Sequence, residues 1–192
     1  MGIVDYLTND ESIDDDEKEI LEFGFERIKV LMVSIPIVIL AGLLFYEIPK
    51  TLVLVLCLLP LRQNAGGYHI DGKYSCAVLS LITLILEILA IKYVVLPPAV
   101  AALIIFIDTI LIFVLSPVGN KKNVLDEIEM KVYGKRAKEI CIMESILFMM
   151  FVILNLPKWY MIVVLSESTV GMLLLVGKLQ ENGSQGRKVQ NV

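Results

Sequence analysis

The chain is poor in the residues from which metal centres and disulfide frameworks are built. It has one histidine and three cysteines in 192 residues. The cysteines, Cys57, Cys76 and Cys141, show no CxxC spacing, and two of them lie in or beside apolar runs. Neither a zinc site nor a disulfide framework is therefore indicated, and no metal or other cofactor is predicted.

Basic charge is also scarce. The formal net charge is −4, whereas nucleic-acid binding needs a clustered basic face, so no nucleic acid is expected as a partner. The N-terminus is acidic where a signal peptide would be basic, and no small-residue cleavage pattern follows it. The apolar segments are therefore expected to remain in the mature protein.

Hydrophobic residues, in contrast, are abundant. They make up 57% of the chain, above the roughly 45–50% of ordinary soluble domains. The sequence predicts an all-α, polytopic membrane helix bundle with about six spans, each needing about 20 residues. The second run has only about 14 residues, or about 21 Å of helix, and fits either a thin span or a re-entrant hairpin. The six runs are Val30–Tyr46, Ile48–Leu61, Ala77–Ile91, Ala99–Leu115, Ile140–Leu156 and Trp159–Val176.

The placement of lysine and arginine predicts the topology. If all six runs cross and the N-terminus is cytoplasmic, only Lys50, Lys92 and Lys158 lie outside, and the other 14 of the 17 basic residues lie inside. This distribution agrees with the positive-inside rule. If the second run does not cross the membrane, the loop richest in lysine moves outside, and the excess of basic residues on the cytoplasmic side is reversed. The sequence thus predicts a multi-pass cell-membrane protein with both termini in the cytoplasm and the segment from His69 to Cys76 at the cytoplasmic face.

Three regions follow from this pattern. Residues 1–29 are acidic and carry apolar residues at helical spacing, which predicts an amphipathic helix at the cytoplasmic face, with a frayed tail as the alternative. Residues 30–178 form the integral membrane domain, and residues 179–192 are expected to form a flexible tail. The loop Ser116–Glu139 carries a charged helical pattern and is interpreted as a topology signal rather than a docking surface.

Four acidic residues fall inside the predicted spans, where such groups are costly and usually face a bundle interior or a cavity. Glu87 and Asp108 lie deep in their apolar runs, whereas the sequence does not clearly place Glu144 and Glu167 away from the ends of theirs. The functional interpretation is a polar cavity or an ion path. The alternative is a hydrated or hydrogen-bonded position near the end of a span.

One polar, glycine-rich segment interrupts the apolar first half of the chain. It runs from Arg62 to Cys76 and contains the only histidine, His69. A thiol needs a base to become a thiolate near neutral pH, and imidazole is the usual one. Gly66 and Gly67 allow backbone conformations closed to other residues and expose amide groups. Each residue alone is more often structural, but together they indicate a cysteine peptidase.

The following residues favour a reactive thiol. Asp71 and Gly72 interrupt the chain again and can cap the third helix, which places Cys76 in its first turn. A helix N-terminus stabilises a thiolate, and Lys73 adds positive charge nearby. On one straight helix, His69 and Cys76 would lie about 10 Å apart along the axis, beyond hydrogen-bond reach. Their pairing therefore requires a bend, which we place at Gly72.

The pattern Arg62-x3-Gly66-Gly67-Tyr68-His69-x6-Cys76 resembles the signature of the accessory gene regulator protein B (AgrB) family, membrane cysteine endopeptidases of Gram-positive quorum-sensing systems. Two further segments support the resemblance. Phe23-Gly24-Phe25-Glu26 is similar to the family's early glycine–glutamate segment, and Ser116-Pro117 with Asn120-Lys121-Lys122 is similar to its proline/basic loop. The resemblance covers most of residues 20–125, and beyond the fifth span only the hydropathy matches.

The resemblance implies roles for the matching residues. Cys76 would be the nucleophile and His69 its general base. Backbone amides of the Gly66-Gly67 turn are candidates for stabilising the oxyanion. The residues that would shape the site are Arg62, Gly66 and Gly67. The residues with auxiliary roles are Glu26, Gln63 and Asp71, of which Asp71 is better suited to capping. The candidates for contact with the substrate are Lys121 and Lys122.

The family's substrate is a short precursor peptide with an amphipathic N-terminal part and an acidic C-terminal part that is removed. In the implied mechanism, Cys76 attacks the scissile carbonyl and forms a thioester, and a side chain of the precursor then displaces the enzyme and closes a thiolactone or lactone ring. Basic groups at the inner face would attract the acidic peptide. The lipid bilayer is a further partner, and so small a bundle could pair with a second copy of itself.

The sequence is also compatible with two other functions. Glu87 and Asp108 are also what a small transporter or exporter of peptides or ions would carry, and flux would then depend on these acids while Cys76 is dispensable. A non-catalytic membrane scaffold would dock partners on the N-terminal segment or on the loop Ser116–Glu139. The clustering of His69, Cys76 and two glycines favours the peptidase over both.

Overall fold

The computed structural model of the protein describes residue 32 and residues 35–68, 73–119 and 126–189, with the backbone alone at residues 73, 74, 76, 77 and 181–189. These residues form helices and no β-strand, so the predicted all-α class is confirmed for them. The predicted amphipathic helix in residues 1–29 lies outside the described residues. The helices are α1 (Ile35–Phe45), α2 (Ile48–Ala65), α3 (Lys73–Tyr93), α4 (Pro98–Leu115), α5 (Glu127–Ile153) and α6 (Pro157–Val189).

Proline and a tight turn set several helix boundaries. Pro98 and Pro157 are the first residues of α4 and α6. A proline is tolerated there because its missing N–H would have no partner in the first turn. Between α1 and α2 the chain reverses within two residues: Tyr46 has φ of 57° and Glu47 N donates to Gly42 O at 2.9 Å.

The second apolar run is a single uninterrupted helix. The sequence allowed a re-entrant hairpin here, but α2 continues through Pro60 and beyond the predicted end at Leu61 to Ala65. Its 18 residues give a length of about 27 Å at 1.5 Å per residue, close to the roughly 30 Å thickness of a bilayer core.

Helices α5 and α6 are longer than the predicted spans. Helix α5 begins at Glu127, inside the predicted loop Ser116–Glu139, and continues without a break into the apolar run. The Glu129 carboxylate accepts a hydrogen bond from Asp126 N at 3.1 Å, as in a capping box, which explains where the helix starts. Helix α6 extends past Val176 to Val189, and the flexibility predicted for residues 179–192 stays a prediction.

Helix α6 is the centre of the bundle. Three clusters of buried apolar side chains include residues of α6, and each joins it to a different part of the fold. The first cluster lies among α2, α4, α5 and α6, the second among α4, α5 and α6, and the third among α1, α2, α3 and α6. Because α6 packs against most of the other helices, groups on it can be shared between distant segments of the chain.

Much of the apolar surface faces outward. Within the described residues, Pro98–Leu115 and Pro157–Gln180 are long and apolar enough to cross a membrane, judged by length and composition. Only 22% of Pro98–Leu115 is buried inside the protein. The buried stripe of α4 is Ala101, Ile105, Asp108 and Ile112, and the remaining faces expose large apolar side chains such as Leu103, Phe106 and Val114. Such a surface is compatible with a membrane protein.

Candidate active site

The candidate site begins where α2 ends. Gly66 follows Ala65 with φ of 74°, and Gly67 has φ of 109°, both in the region that favours glycine. Gly66 N donates to Arg62 O at 3.2 Å and so terminates the helix. A side chain at Gly66 would also collide with the carbonyl oxygen of Val118. The two glycines are therefore required by the path of the chain.

A short backbone pairing joins this turn to the segment after α4. Gly66 and Val118 form a parallel β-bridge. Val118 N donates to Ala65 O at 3.0 Å, and Gly67 N donates to Val118 O at 3.2 Å. Val118 is itself buried, at 5% exposure. The pairing therefore fixes the end of α2 against the loop that leaves α4, far away in sequence.

The backbone then meets α6. Tyr68 N donates to Leu173 O at 2.9 Å. A Cβ atom on Gly67 would lie 2.9 Å from Leu173 O, and a Cβ atom on Gly177 would lie 2.8 Å from Tyr68 N. Two glycines, one on each side, thus allow the loop and helix α6 to touch through their backbones.

The Arg62 side chain binds two carbonyl oxygens of the turn. Its Nη1 donates to Gly66 O, and its Nη2 donates to Tyr68 O at 2.5 Å. The rigid, planar guanidinium can reach two carbonyl oxygens at once, which an ammonium group cannot do with the same geometry. We call the resulting set of contacts the loop clamp. Its residues are Arg62, Gly66, Gly67, Tyr68, Val118 and Leu173.

The loop clamp brings together three of the residues singled out from the sequence, Arg62, Gly66 and Gly67. These contacts fix the path of the backbone from Ala65 to Tyr68, and the site-shaping role of the three residues stays a prediction. The proposed use of the two glycine amides as oxyanion donors does not agree with this arrangement, because both N–H groups already donate to Arg62 O and Val118 O. Gln63 lies on the exposed side of α2 and takes no part in the loop clamp.

The predicted catalytic pair lies at the border of the described residues. His69 is the residue directly after Tyr68 and lies outside them, as do Glu26, Asp71, Lys121 and Lys122. Helix α3 begins at Lys73, so Cys76 is its fourth residue and sits in the first turn; its side chain is not described.

Three contacts of the site could not be found from the sequence motif, those of Val118, Leu173 and Gly177. Val118 and Leu173 contribute only backbone atoms to the loop clamp, so the identity of their side chains does not indicate these contacts in the sequence. Gly177 does carry one, because an isolated glycine within a helical apolar run costs about 1 kcal/mol relative to alanine and so indicates a close approach.

A second polar cluster lies in the middle of the bundle. Four consecutive residues of α6, Ser166 to Thr169, are polar, and the last three of them bond to polar side chains on neighbouring helices. Glu144 and Glu167, which the sequence did not clearly place inside a span, are buried at 5% and 0% exposure. We call this cluster the polar belt. Its residues are Glu87, Asp108, Thr109, Glu144, Ser145, Ser166, Glu167, Ser168 and Thr169.

Comparison with known proteins gives one match. A family model described as Accessory gene regulator B matches residues 2–175, a range that contains the whole loop clamp together with His69 and Cys76. No curated protein and no solved structure matches the chain significantly.

Proposed function

The chain belongs to the accessory gene regulator B family, and we propose that it is a membrane cysteine endopeptidase that processes a quorum-sensing precursor peptide. The observation that carries this proposal is the loop clamp. It holds the backbone of Tyr68 through Arg62 and Leu173, and Tyr68 is the residue directly before the only histidine of the chain. A fixed starting point for His69 is what a positioned base requires.

Cys76 is the proposed nucleophile. Its place in the first turn of α3 puts it near backbone N–H groups that have no partner within the helix, and the positive end of the helix dipole favours a thiolate. The other two cysteines, Cys57 and Cys141, are buried free thiols in the bundle. Among the three thiols, Cys76 is therefore the one suited to react with a peptide.

The proposed reaction is acyl transfer. His69 removes the thiol proton of Cys76, and the sulfur attacks the scissile carbonyl of the precursor. The peptide C–N bond breaks, the acidic C-terminal part leaves with the proton from His69, and a thioester joins the remaining peptide to Cys76. A thiol or hydroxyl of the bound peptide then attacks the thioester, which closes the ring and regenerates the Cys76 thiol.

The proposed setting is the cell membrane. Helix α4 exposes large apolar side chains on most of its circumference, which acyl chains of lipid would cover. We propose six crossings with both termini in the cytoplasm, on the distribution of lysine and arginine. In this topology the site and the segment carrying Lys121 and Lys122 share the cytoplasmic face, where an acidic peptide would be attracted. We also propose that two copies of the chain can pair as a homodimer.

The test is cleavage of the precursor by the protein in lipid vesicles. A variant with Cys57→Ala and Cys141→Ala keeps Cys76 as its only thiol, and we expect it to cleave the precursor and to form a covalent adduct with it on Cys76. Adding Cys76→Ala or His69→Ala to that variant should abolish cleavage while membrane insertion persists. Full cleavage by the thiol-free protein would exclude the proposal.

The polar belt supports one alternative, a small transporter or exporter of peptides or ions. Buried acids are typical of ion and proton pathways in membrane bundles, and four are present here, each at 7% exposure or less. This alternative requires flux that depends on Glu87 and Asp108 and that survives Cys76→Ala. Loss of cleavage in the Cys76→Ala variant without any flux in the wild type would exclude it.

A further inference from the structure

The hydrogen bonds of the polar belt use nearly every donor that the belt possesses. Thr109 donates to Glu167 Oε2 at 3.3 Å and Ser145 donates to Glu167 Oε1 at 3.4 Å. Ser168 donates to Asp108 Oδ2 at 2.5 Å and Thr169 donates to Glu87 Oε1 at 2.6 Å. A hydroxyl has a single proton to donate, so none of these four groups can serve a further carboxylate.

Glu144 is left without a partner. Both of its carboxylate oxygens are buried and accept no hydrogen bond from any protein group, and the same holds for Glu87 Oε2. The Ser166 hydroxyl is buried and faces Glu144, but it too lies beyond hydrogen-bond distance of any partner. Native proteins seldom leave such groups unpaired, since an unsatisfied buried polar group is costly and an unpaired buried charge is costlier.

Glu144 is directed into the belt. It belongs to the buried stripe of α5, one turn beyond Cys141. The Cys141 thiol lies 3.8 Å from Thr109 Oγ1, which in turn donates to Glu167. The carboxylates of Glu144 and Glu167 are close enough to repel each other when both are ionised. The Glu144 carboxylate therefore faces the Ser166 hydroxyl and the negative charge of Glu167.

No cationic side chain of the described residues is among the titratable groups that face Glu144 and Glu167. The titratable groups that face Glu144 and Glu167 are Cys57 from α2, Asp108 from α4 and Cys141 from α5, and none of these is a cation. Two ion pairs of the described residues involve other acids, Glu47 with Lys50 and Glu139 with Lys135. A cation from solution would compensate the negative charge inside the belt.

We propose that the polar belt is a binding site for a monovalent cation, a proton or Na⁺, centred on Glu144, Ser166 and Glu167. Carboxylate and hydroxyl oxygens suit either ion. The site is independent of the thiol chemistry of Cys76.

The test measures the melting temperature of the full-length protein in detergent, in NaCl and in choline chloride at equal ionic strength and over a pH series. A ligand that binds only the folded protein raises the melting temperature. At a concentration about 100-fold above Kd, the rise should be roughly 5–11 °C for a chain of this length. The variants are Glu144→Gln and Ser166→Ala. The matched control is Glu47→Gln, a buried acid that already pairs with Lys50.

Two outcomes support the proposal and identify the ion. If NaCl raises the melting temperature of the wild type and of Glu47→Gln but not of Glu144→Gln, the ligand is Na⁺. If choline and sodium act alike but acidification stabilises the wild type more than Glu144→Gln, the ligand is a proton, because a proton bound only in the folded state makes stability increase as pH falls. Identical salt and pH responses in the wild type, Glu144→Gln and Ser166→Ala overturn the proposal. If Glu144→Gln does not fold, the comparison with Ser166→Ala decides.

Discussion

Replacing Gly177 by alanine should weaken catalysis although the residue lies far from the proposed catalytic pair in sequence. The added Cβ would lie 2.8 Å from Tyr68 N, 3.0 Å from the Gly67 carbonyl carbon and 3.1 Å from Gly67 Cα. All three are backbone atoms and cannot rotate away. The loop must therefore move off α6 by about 0.6 Å to reach an ordinary van der Waals separation.

The effect on stability should be moderate. Losing the bond from Tyr68 N to Leu173 O costs about 0.5–1.5 kcal/mol, and overpacking costs about 1–3 kcal/mol. Alanine has a helix propensity about 1 kcal/mol better than glycine, which offsets part of this. The net loss of roughly 0.5–3.5 kcal/mol leaves a folded protein in most of this range. A misplacement of about 1 Å can cost about 100-fold in rate, so we expect kcat to fall roughly 10-fold to 100-fold.

The assay is single-turnover cleavage of the precursor in vesicles, with the rate of alkylation of Cys76 at pH 7 as a second readout in the variant that lacks Cys57 and Cys141. We expect kcat and the alkylation rate to fall together while KM is unchanged, since His69 follows the displaced residue. The matched control is Gly171→Ala on the same helix, where the nearest atom to the new Cβ is a carboxylate oxygen of Asp108 at 3.2 Å. Wild-type kcat and thiol reactivity in Gly177→Ala would refute the positioning role of the loop clamp.

Three further predictions concern single contacts. Arg62→Lys should lower kcat at least about 10-fold. An ammonium cannot hold Gly66 O and Tyr68 O as the guanidinium does, and losing a hydrogen bond from a charged donor costs about 1.5–3 kcal/mol. A wild-type kcat in this variant would contradict the prediction. Gly67→Ala should lower the melting temperature and kcat more than Gly177→Ala does. The φ of 109° at Gly67 is unfavourable for alanine, and the new Cβ would also meet Leu173 O. An equal or smaller loss than in Gly177→Ala would argue against this backbone conformation of Gly67. Tyr160→Phe removes the hydrogen bond to Leu96 O and should cost about 0.5–1.5 kcal/mol of stability without changing kcat; a selective loss of cleavage would show that this end of the bundle acts in the reaction.

The helices were largely predictable from the sequence because their signal is local. Apolar runs bounded by proline and charge mark α4 and α6, and the predicted runs starting at Ile48 and Ala99 begin within one residue of the helices α2 and α4. The charged helical pattern of the loop Ser116–Glu139 was visible, but the sequence did not show that this helix continues into the apolar run, since its charged half has no wide apolar stripe. Its start depends on the local cap at Asp126 and Glu129.

The candidate site was predictable only as a set of residues. The motif identified Arg62, Gly66 and Gly67, because arginine and paired glycines leave a recognisable pattern. It did not show what they contact, because the partners are backbone atoms of Val118 and Leu173, on segments distant in sequence. The sequence did not predict the burial of Glu144 and Glu167, for a related reason. Their depth depends on how α5 packs against α6, and hydropathy reports only the run in which each residue lies.

The bond between Tyr68 and Leu173 has a consequence for how the protein is made. About 105 residues separate the two, and a ribosome needs roughly 5–20 s to add them at about 5–20 residues per second. During that interval the loop lacks its support on the last helix. A nascent chain therefore lacks the finished loop clamp until α6 has been synthesised, and the proposed peptide cleavage would wait for that step.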